Sequence, residues 1–219
     1  MNKIVIWDWN GTLLNDVEIN CQIINSILKK HGLKQIDLKT YRRYFRLPII
    51  EMYYDLGFTF EKESFSDITI EYNELYRINF EKINLFDGCK DILKILKKRN
   101  IKQYIISAMN EKELLNHVKQ KGIYEFFEKI IGLEDYLAIS KKEKAVEFAK
   151  TLDRKDEIFF IGDMDHDYEV SKAINAKCIL YTNGHQDIEY FLNKKIKNSN
   201  KFDNDLVLID NLKEVVHLI

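Results

Sequence analysis

Six short apolar runs recur along the chain: Ile4 to Trp7, Gln103 to Ser107, Lys129 to Gly132, Glu157 to Gly162, Cys178 to Tyr181 and Leu206 to Ile209. Between them lie stretches with apolar residues at i, i+3 and i+4, over Asp91 to Lys98, Glu111 to Gln120, Lys142 to Thr151 and Asp167 to Asn175. Strands that alternate with amphipathic helices pair in parallel through right-handed crossovers, so the pattern predicts an α/β fold, a doubly wound parallel sheet. With 219 residues, 46% of them apolar, the chain can bury one core domain plus a modest insertion.

The alternation is interrupted once. From about Asn15 to about Asn84 only helical periodicity is present: Val17 to Leu28, Tyr41 to Leu56, and Ser66 to Phe80. This predicts two domains, an α/β core over 1–14 and 84–219 and an inserted helical cap over 15–83. The single proline, Pro48, should break the cap's second helix or its approach. The Lys- and Asn-rich stretch from Asn193 to Asn204 reads as a mobile surface loop.

Charge and cysteine usage narrow the function classes. Lysine and arginine number 34 against 35 acids, a net charge of -1, which argues against nucleic acid as a partner and makes any phosphate affinity local. Three well-separated cysteines, Cys21, Cys89 and Cys178, form neither a disulfide framework nor a zinc cluster. There is no apolar run of membrane-spanning length and no secretory leader, so no membrane partner and a cytoplasmic location are expected.

Open α/β sheets bind ligands beyond the carboxyl ends of their strands, so the residues just after each apolar run carry the chemistry. The first run ends in Asp8-Trp9-Asn10-Gly11-Thr12, the second in Ser107-Ala108, and the fourth in Gly162-Asp163-Met164-Asp165-His166-Asp167. After the third comes Ser140-Lys141-Lys142-Glu143-Lys144 at a helix start. Converging carboxylates about 5 Å apart repel by about 3 kcal/mol at an effective dielectric of 20, so the cluster calls for a cation. Hard oxygen ligands suit Mg²⁺ better than zinc.

"DWNGT", "IISA", a lysine-opened helix and "GDMDHD", in that order, resemble the four-motif signature of the haloacid dehalogenase superfamily, and the resemblance spans essentially the whole chain. The inserted helices match the position of the type C1 cap of phosphoglycolate-phosphatase-like members. The resemblance implies a Rossmann-like core and a Mg²⁺-dependent phosphatase that acts on a small phosphorylated metabolite. Asp8 would be the nucleophile that forms an aspartyl-phosphate. Asp8, the Asn10 carbonyl, Asp163 and Asp167 would hold the metal, Asp167 through water or by gripping the motif lysine. Ser107 and the lysine would stabilise the transferring group. Lys141 is favoured because Ser140 precedes it as a helix cap, with Lys142 and Lys144 as alternatives.

Gly11, Thr12 and Ala108 would frame the phosphate. Of the cap arginines Arg42, Arg43 and Arg46, Arg46 is taken as the candidate for an anionic substrate group, since guanidinium forks match carboxylate and phosphate. The cap aromatics Tyr41, Tyr44, Phe45, Tyr53 and Tyr54 read as cap core. His166 is read as a surface residue.

One position departs from the family pattern. Most phosphatases of the family carry a second Asp two residues after the nucleophile, as general acid and base; here Asn10 stands there and cannot exchange a proton. Such assistance is worth about 10²- to 10⁴-fold, so substrates with acidic leaving groups should suffer least. A phosphometabolite-binding or regulatory protein that has lost turnover is the alternative. A dehalogenase or a phosphonatase, the latter needing a cap lysine such as Lys29, Lys30, Lys34 or Lys39, fits less well. Substrate identity and oligomeric state are not legible in the string.

Overall fold

The computed structural model describes residues 2–134, 141–193 and 205–219. Six parallel strands, β1 (Lys3–Trp7), β4 (Lys102–Asn110), β5 (Lys129–Leu133), β6 (Glu157–Gly162), β7 (Lys177–Tyr181) and β8 (Leu206–Ile209), form one sheet in the order β5-β4-β1-β6-β7-β8. All six expected runs are strands of this sheet. The chain enters at β1, fills one side with β4 and β5, then crosses to β6, β7 and β8. The order therefore reverses at β1, whose carboxyl end faces the crevice where such sheets bind ligands.

Strand periodicity divides the core. Val5 and Trp7 of β1, Ile105 of β4 and Phe159 and Ile161 of β6 face one apolar cluster, while Ile4, Ile6, Tyr104, Ile106 and Phe160 face another. Helix α5 (Cys89–Lys98) covers the first with Cys89, Ile92, Leu93 and Leu96, spaced for one helical face. Helices α7 (Lys142–Ala149) and α8 (Asp165–Ala173) cover the second with Ala145, Phe148 and Val170. Each large side chain buried this way contributes about 1.5–3 kcal/mol before chain entropy is counted. Cys21, Cys89 and Cys178 are buried free thiols.

Four helices fill the interval after β1: α1 (Val17–Lys30), α2 (Leu38–Tyr44), α3 (Ile49–Asp55) and α4 (Phe65–Asn79). Pro48 caps α3 and separates it from α2, as expected from its missing N–H. Ser64 and Asp67 form a reciprocal capping box at the start of α4. One feature was not anticipated. A two-stranded antiparallel ribbon, β2 (Leu14–Asn15) with β3 (Asn84–Leu85), joins entry and exit of this interval, and two-residue strands are too short to show a period.

Two further boundaries differ from expectation. Strand β4 does not end at Ser107 but runs on to Asn110 through a register shift between Ile106 and Asn110, which holds Ser107 within the strand. Helix α8 begins at Asp165 rather than Asp167, because the turn after β6 is only two residues long. Helices α6 (Glu111–Gln120), α9 (Ile188–Asn193) and α10 (Val215–Leu218) complete the elements named here. The surface loop expected up to Asn204 lies, from residue 194 on, outside the described residues, as does Ser140. No helix among the described residues is long and apolar enough to cross a membrane.

Candidate active site

Asp8 follows β1 directly, and its N–H donates to the Ile161 carbonyl of β6 at 2.8 Å, so the sheet hydrogen bonding extends one residue past the strand and fixes the carboxylate at the switch point. Gly11 completes the turn with φ of +68°, and a Cβ there would lie 2.2 Å from Asp163 Oδ2 and 2.6 Å from His185 Cδ2. Both the backbone conformation and the close approach require glycine. The next residue, Thr12, is fully buried and donates its hydroxyl to Asp163 Oδ1 at 2.8 Å. Gly11 and Thr12 thus shape the loop around Asp163.

Asp8, Asp163 and Asp167 are buried and present carboxylate oxygens within 4.8 Å of one another. Asp167, in the first turn of α8, accepts the N–H groups of Asp163 and Met164 at 2.9 and 2.8 Å on Oδ2. Its Oδ1 lies 2.7 Å from Lys141 Nζ, which also lies 2.6 Å from Asp8 Oδ1. Lys141 is 2% exposed and occupies the N-cap position of α7 itself, without a side-chain cap bond. Of the three candidate lysines it is the one that reaches the carboxylates. Lys144 pairs with Glu134 at 3.0 Å on the surface, and Lys142 is exposed.

Three buried carboxylates and one ammonium leave the centre electron-rich. Burial raises the Asp8 carboxyl to about 6, with Lys141 opposing and Asp167 assisting. It raises Asp163 to about 7, with His185 opposing and Asp167 and Asp8 assisting. Lys141 is held above its ordinary value because Asp167 and Asp8 outweigh the cost of burying it. Three hard oxygen donors on a centre with surplus negative charge fit a divalent cation such as Mg²⁺.

A cavity of about 340 Å³ opens over this centre. Asp8, Asn10, Ser107, Ala108, Lys141 and Asp167 line it from the core. The Ser107 hydroxyl, 2% exposed, accepts the Met109 N–H at 3.2 Å. From the helical interval come Ile24, Phe45, Leu47, Ile49, Tyr53 and Tyr72. Phe45 stacks on His185 with ring centroids 4.4 Å apart. Phe45 and Tyr53 therefore face the cavity as well as the helical core, and Tyr54 is half exposed rather than core. His166 lines the cavity instead of lying on the outer surface.

Arg46 is not brought to this cavity. Its guanidinium is held by Asp55, with Glu51 Oε2 at 4.0 Å, because helix α3 places both acids within its reach. Arg42 donates to the Asn183 carbonyl at 3.0 Å.

Sequence reasoning passed over a second buried group, centred on Asp16. Its Oδ1 accepts the Gly11 N–H at 2.9 Å and faces His185 Nε2 at 3.3 Å. Its Oδ2 accepts the Asn10 amide at 2.7 Å, the Tyr76 hydroxyl at 2.9 Å and the Asn20 amide at 2.9 Å. His185 Nδ1 shares a 2.7 Å hydrogen bond with the Tyr41 hydroxyl, and the His185 backbone N–H donates to Asp163 Oδ2 at 2.6 Å. Burial opposes ionisation of Asp16, but His185 and the hydrogen bonds outweigh it and hold the carboxyl below its usual range. His185 is correspondingly raised by Asp16 against burial. Asp16 precedes α1 and looks like an ordinary N-cap, so its sequence signal was ambiguous. His185 was detectable, since Thr182-Asn183-Gly184-His185 follows β7 at the same end of the sheet.

Many solved structures resemble the chain over almost its whole length, among them the following three. A predicted phosphatase from Clostridium acetobutylicum superposes with a TM-score of 0.78 at 17% identity, covering 100% of this chain and 98% of that one. A haloacid dehalogenase-like family hydrolase from Streptococcus pneumoniae gives 0.77 at 19%, covering 100% and 99%. A predicted phosphoglycolate phosphatase from Haemophilus somnus gives 0.75 at 17%, covering 99% and 97%. At these identities the likeness establishes the fold. No curated protein matches the chain. The haloacid dehalogenase-like hydrolase family matches residues 5–181, which include most of β1, all of β4 to β7, and Asp8, Ser107, Lys141, Asp163 and Asp167, and the chain belongs to that family.

Proposed function

We propose that the protein is a Mg²⁺-dependent phosphatase of the cytoplasm that hydrolyses a small phosphorylated metabolite through an aspartyl-phosphate on Asp8, with residues 15–83 as a cap over the 1–14 and 84–219 core. The observation that carries the reading is the bridge of Lys141 between Asp8 and Asp167 at 2.6 and 2.7 Å on the cavity floor. An inert core would gain more from apolar residues of the same volume than from a buried ion triad. Asp8, Asp163, Asp167 and the Asn10 carbonyl would hold Mg²⁺, which supplies charge neutralisation for the phosphoryl oxygens.

The residues divide the work. Asp8 attacks phosphorus, and Lys141 keeps it ionised and faces the transferring charge. Ser107 offers its hydroxyl to a phosphoryl oxygen, with Ala108 beside it. Thr12 and Asp16 hold the turn through Asp163 and Gly11. Cap lysines suited to a phosphonatase are absent from the cavity wall among the described residues, where Lys29, Lys30, Lys34 and Lys39 are exposed.

The test is a screen of phosphorylated metabolites for phosphate release, with Mg²⁺, with chelator, and with the Asp8→Ala variant. Release that persists with chelator or in the variant refutes the reading. Thermal stabilisation by phosphorylated ligands without any release would instead support the binding-protein alternative.

A further inference from the structure

The part of the cavity that faces the organic half of a substrate is apolar and aromatic. Its wall is formed by Ile24, Phe45, Leu47, Ile49, Tyr53 and Tyr72. Its volume of about 340 Å³ exceeds by roughly twofold the 150 Å³ that accommodates a benzene ring, leaving space for a ring and a phosphoryl group. The lysine and arginine that line it among the described residues are Lys141 and Arg77. Lys141 is held by Asp8 and Asp167, and Arg77 Nη2 lies 3.0 Å from Glu113 Oε1. Of the lining histidines, His185 is paired with Asp16, and burial holds His117 and His166 below the ordinary imidazole range, which favours their neutral form. A carboxylate or second phosphate on the substrate would therefore enter a largely apolar space whose lysine and arginine already face carboxylates, which disfavours it relative to an uncharged group.

The leaving-group side adds an independent constraint. The Asn10 side chain donates to Asp16 Oδ2 at 2.7 Å and to the Tyr76 hydroxyl at 2.9 Å, which commits both of its N–H groups, and an amide yields no proton. An alkoxide leaving group, whose conjugate acid is about as weak as water, is poorly expelled without an acid. A phenolate, with a conjugate acid near pKa 10, departs without one. At the polar rim Asn73, Asn116 and Gln120 offer uncharged donors and acceptors. Beside them the buried Nδ1 of His117 has no hydrogen-bond partner. These groups suit a neutral polar substituent on a ring.

We propose that this site takes the phosphate monoester of an uncharged aromatic alcohol, with the ring against the cap wall, a specificity that rests on the phosphatase reading above. A carboxylate oxygen of Asp8 bonds to phosphorus as the bond from phosphorus to the aryl oxygen breaks. The electron pair leaves on that oxygen as phenolate, which takes a proton from water. Water then attacks the phosphorus of the phosphorylated Asp8, which restores the carboxylate and releases inorganic phosphate and a proton.

The experiment compares phenyl phosphate with 2-phosphoglycolate and glycerol 3-phosphate on the Mg²⁺-loaded protein, and measures binding of each to the Asp8→Asn variant by calorimetry. The expected kcat/KM for phenyl phosphate exceeds both alkyl esters by at least about a hundredfold, within the range that loss of a general acid produces. Asp8→Asn is expected to bind phenyl phosphate at least about tenfold more tightly than 2-phosphoglycolate. Thr69→Arg, which adds a cation to the cavity wall, should narrow that binding gap by about tenfold. Alkyl esters turned over within about threefold of phenyl phosphate, or equal affinities in Asp8→Asn, overturn the proposal. No release from phenyl phosphate while other metabolites of the screen are hydrolysed overturns the proposal and leaves the phosphatase reading standing; no release across the whole screen overturns the phosphatase reading, and the binding comparison then still decides the specificity of the cavity.

Discussion

Replacing Asn10 by aspartate restores the usual family residue, yet the structure predicts that it harms the protein. The Asn10 amide lies 2.7 Å from Asp16 Oδ2. In Asn10→Asp, two carboxylate oxygens at that separation repel by about 6 kcal/mol at an effective dielectric of 20. Retaining a proton between them is cheaper, since holding an ordinary carboxyl protonated at pH 7, three units above its pKa, costs about 4 kcal/mol. His185 offsets one negative charge on Asp16, not two. The smaller cost prevails, and the expected loss of about 4 kcal/mol lowers Tm by about 10 °C for a chain of this size.

The pH dependence identifies the cause. In the folded variant the shared proton is held above pH 7, whereas in the unfolded chain it dissociates near pH 4. Folding therefore takes up a proton in that window, and the variant loses stability relative to the parent as pH rises, by about 1.4 kcal/mol per unit between pH 4 and 7. Thermal unfolding by circular dichroism across that range measures it. Adding Asp16→Asn removes the conflict, so the double variant should recover most of the Tm lost and show a flat difference. An Asn10→Asp variant that melts within about 2 °C of the parent at pH 7, or whose deficit is independent of pH, would refute the reasoning.

Three further outcomes are expected. Lys141→Met leaves Asp8 and Asp167 uncompensated, and phosphate release should fall by at least about a hundredfold while the Mg²⁺-loaded protein stays folded, measured by steady-state kinetics beside circular dichroism. Mg²⁺ affinity should weaken as pH falls through about 7 and then about 6, because Asp163 and Asp8 must lose protons to bind metal, and calorimetric titration at pH 7.5 and 5.5 reads the loss directly. His117 is held by burial at about 4, stacked on Phe80 at 3.6 Å. The unfolded histidine takes its proton first as pH drops, so up to about 3 kcal/mol of stability present above pH 6.5 is lost between pH 6.5 and 4. His117→Phe should remove that slope, which denaturant titrations at several pH values would detect.

The sheet was legible because its signal is local. The run Ile4 to Trp7 and the run Glu157 to Gly162 are apolar on both faces, as strands covered by helices on both sides must be, and no distant residue is needed to recognise them. The strand-end rule then brought Asp8, Ser107, Asp163 and Asp167 into one list, since a parallel sheet collects its carboxyl ends on one edge. The ribbon of Leu14–Asn15 with Asn84–Leu85 escaped notice because two residues carry no period. Arg46 was placed at the cleft on charge alone, while a neighbour one helix away, Asp55, holds it elsewhere.

By itself the sequence determined the doubly wound sheet, the helical interval and the residue types gathered at the strand ends, because hydrophobic period and turn chemistry act over a few residues. Tertiary structure decided which of three adjacent lysines meets Asp8, and why an amide stands at position 10. Lys141 reaches both Asp8 and Asp167 only because the fold brings the start of α7 beside the residue after β1 and the first turn of α8. Asn10 is held by Asp16 and Tyr76, and Asp16 by His185. Asp16, Tyr76 and His185 come from three separate parts of the chain, and distances of about 3 Å between them exist only once the core has brought the parts together.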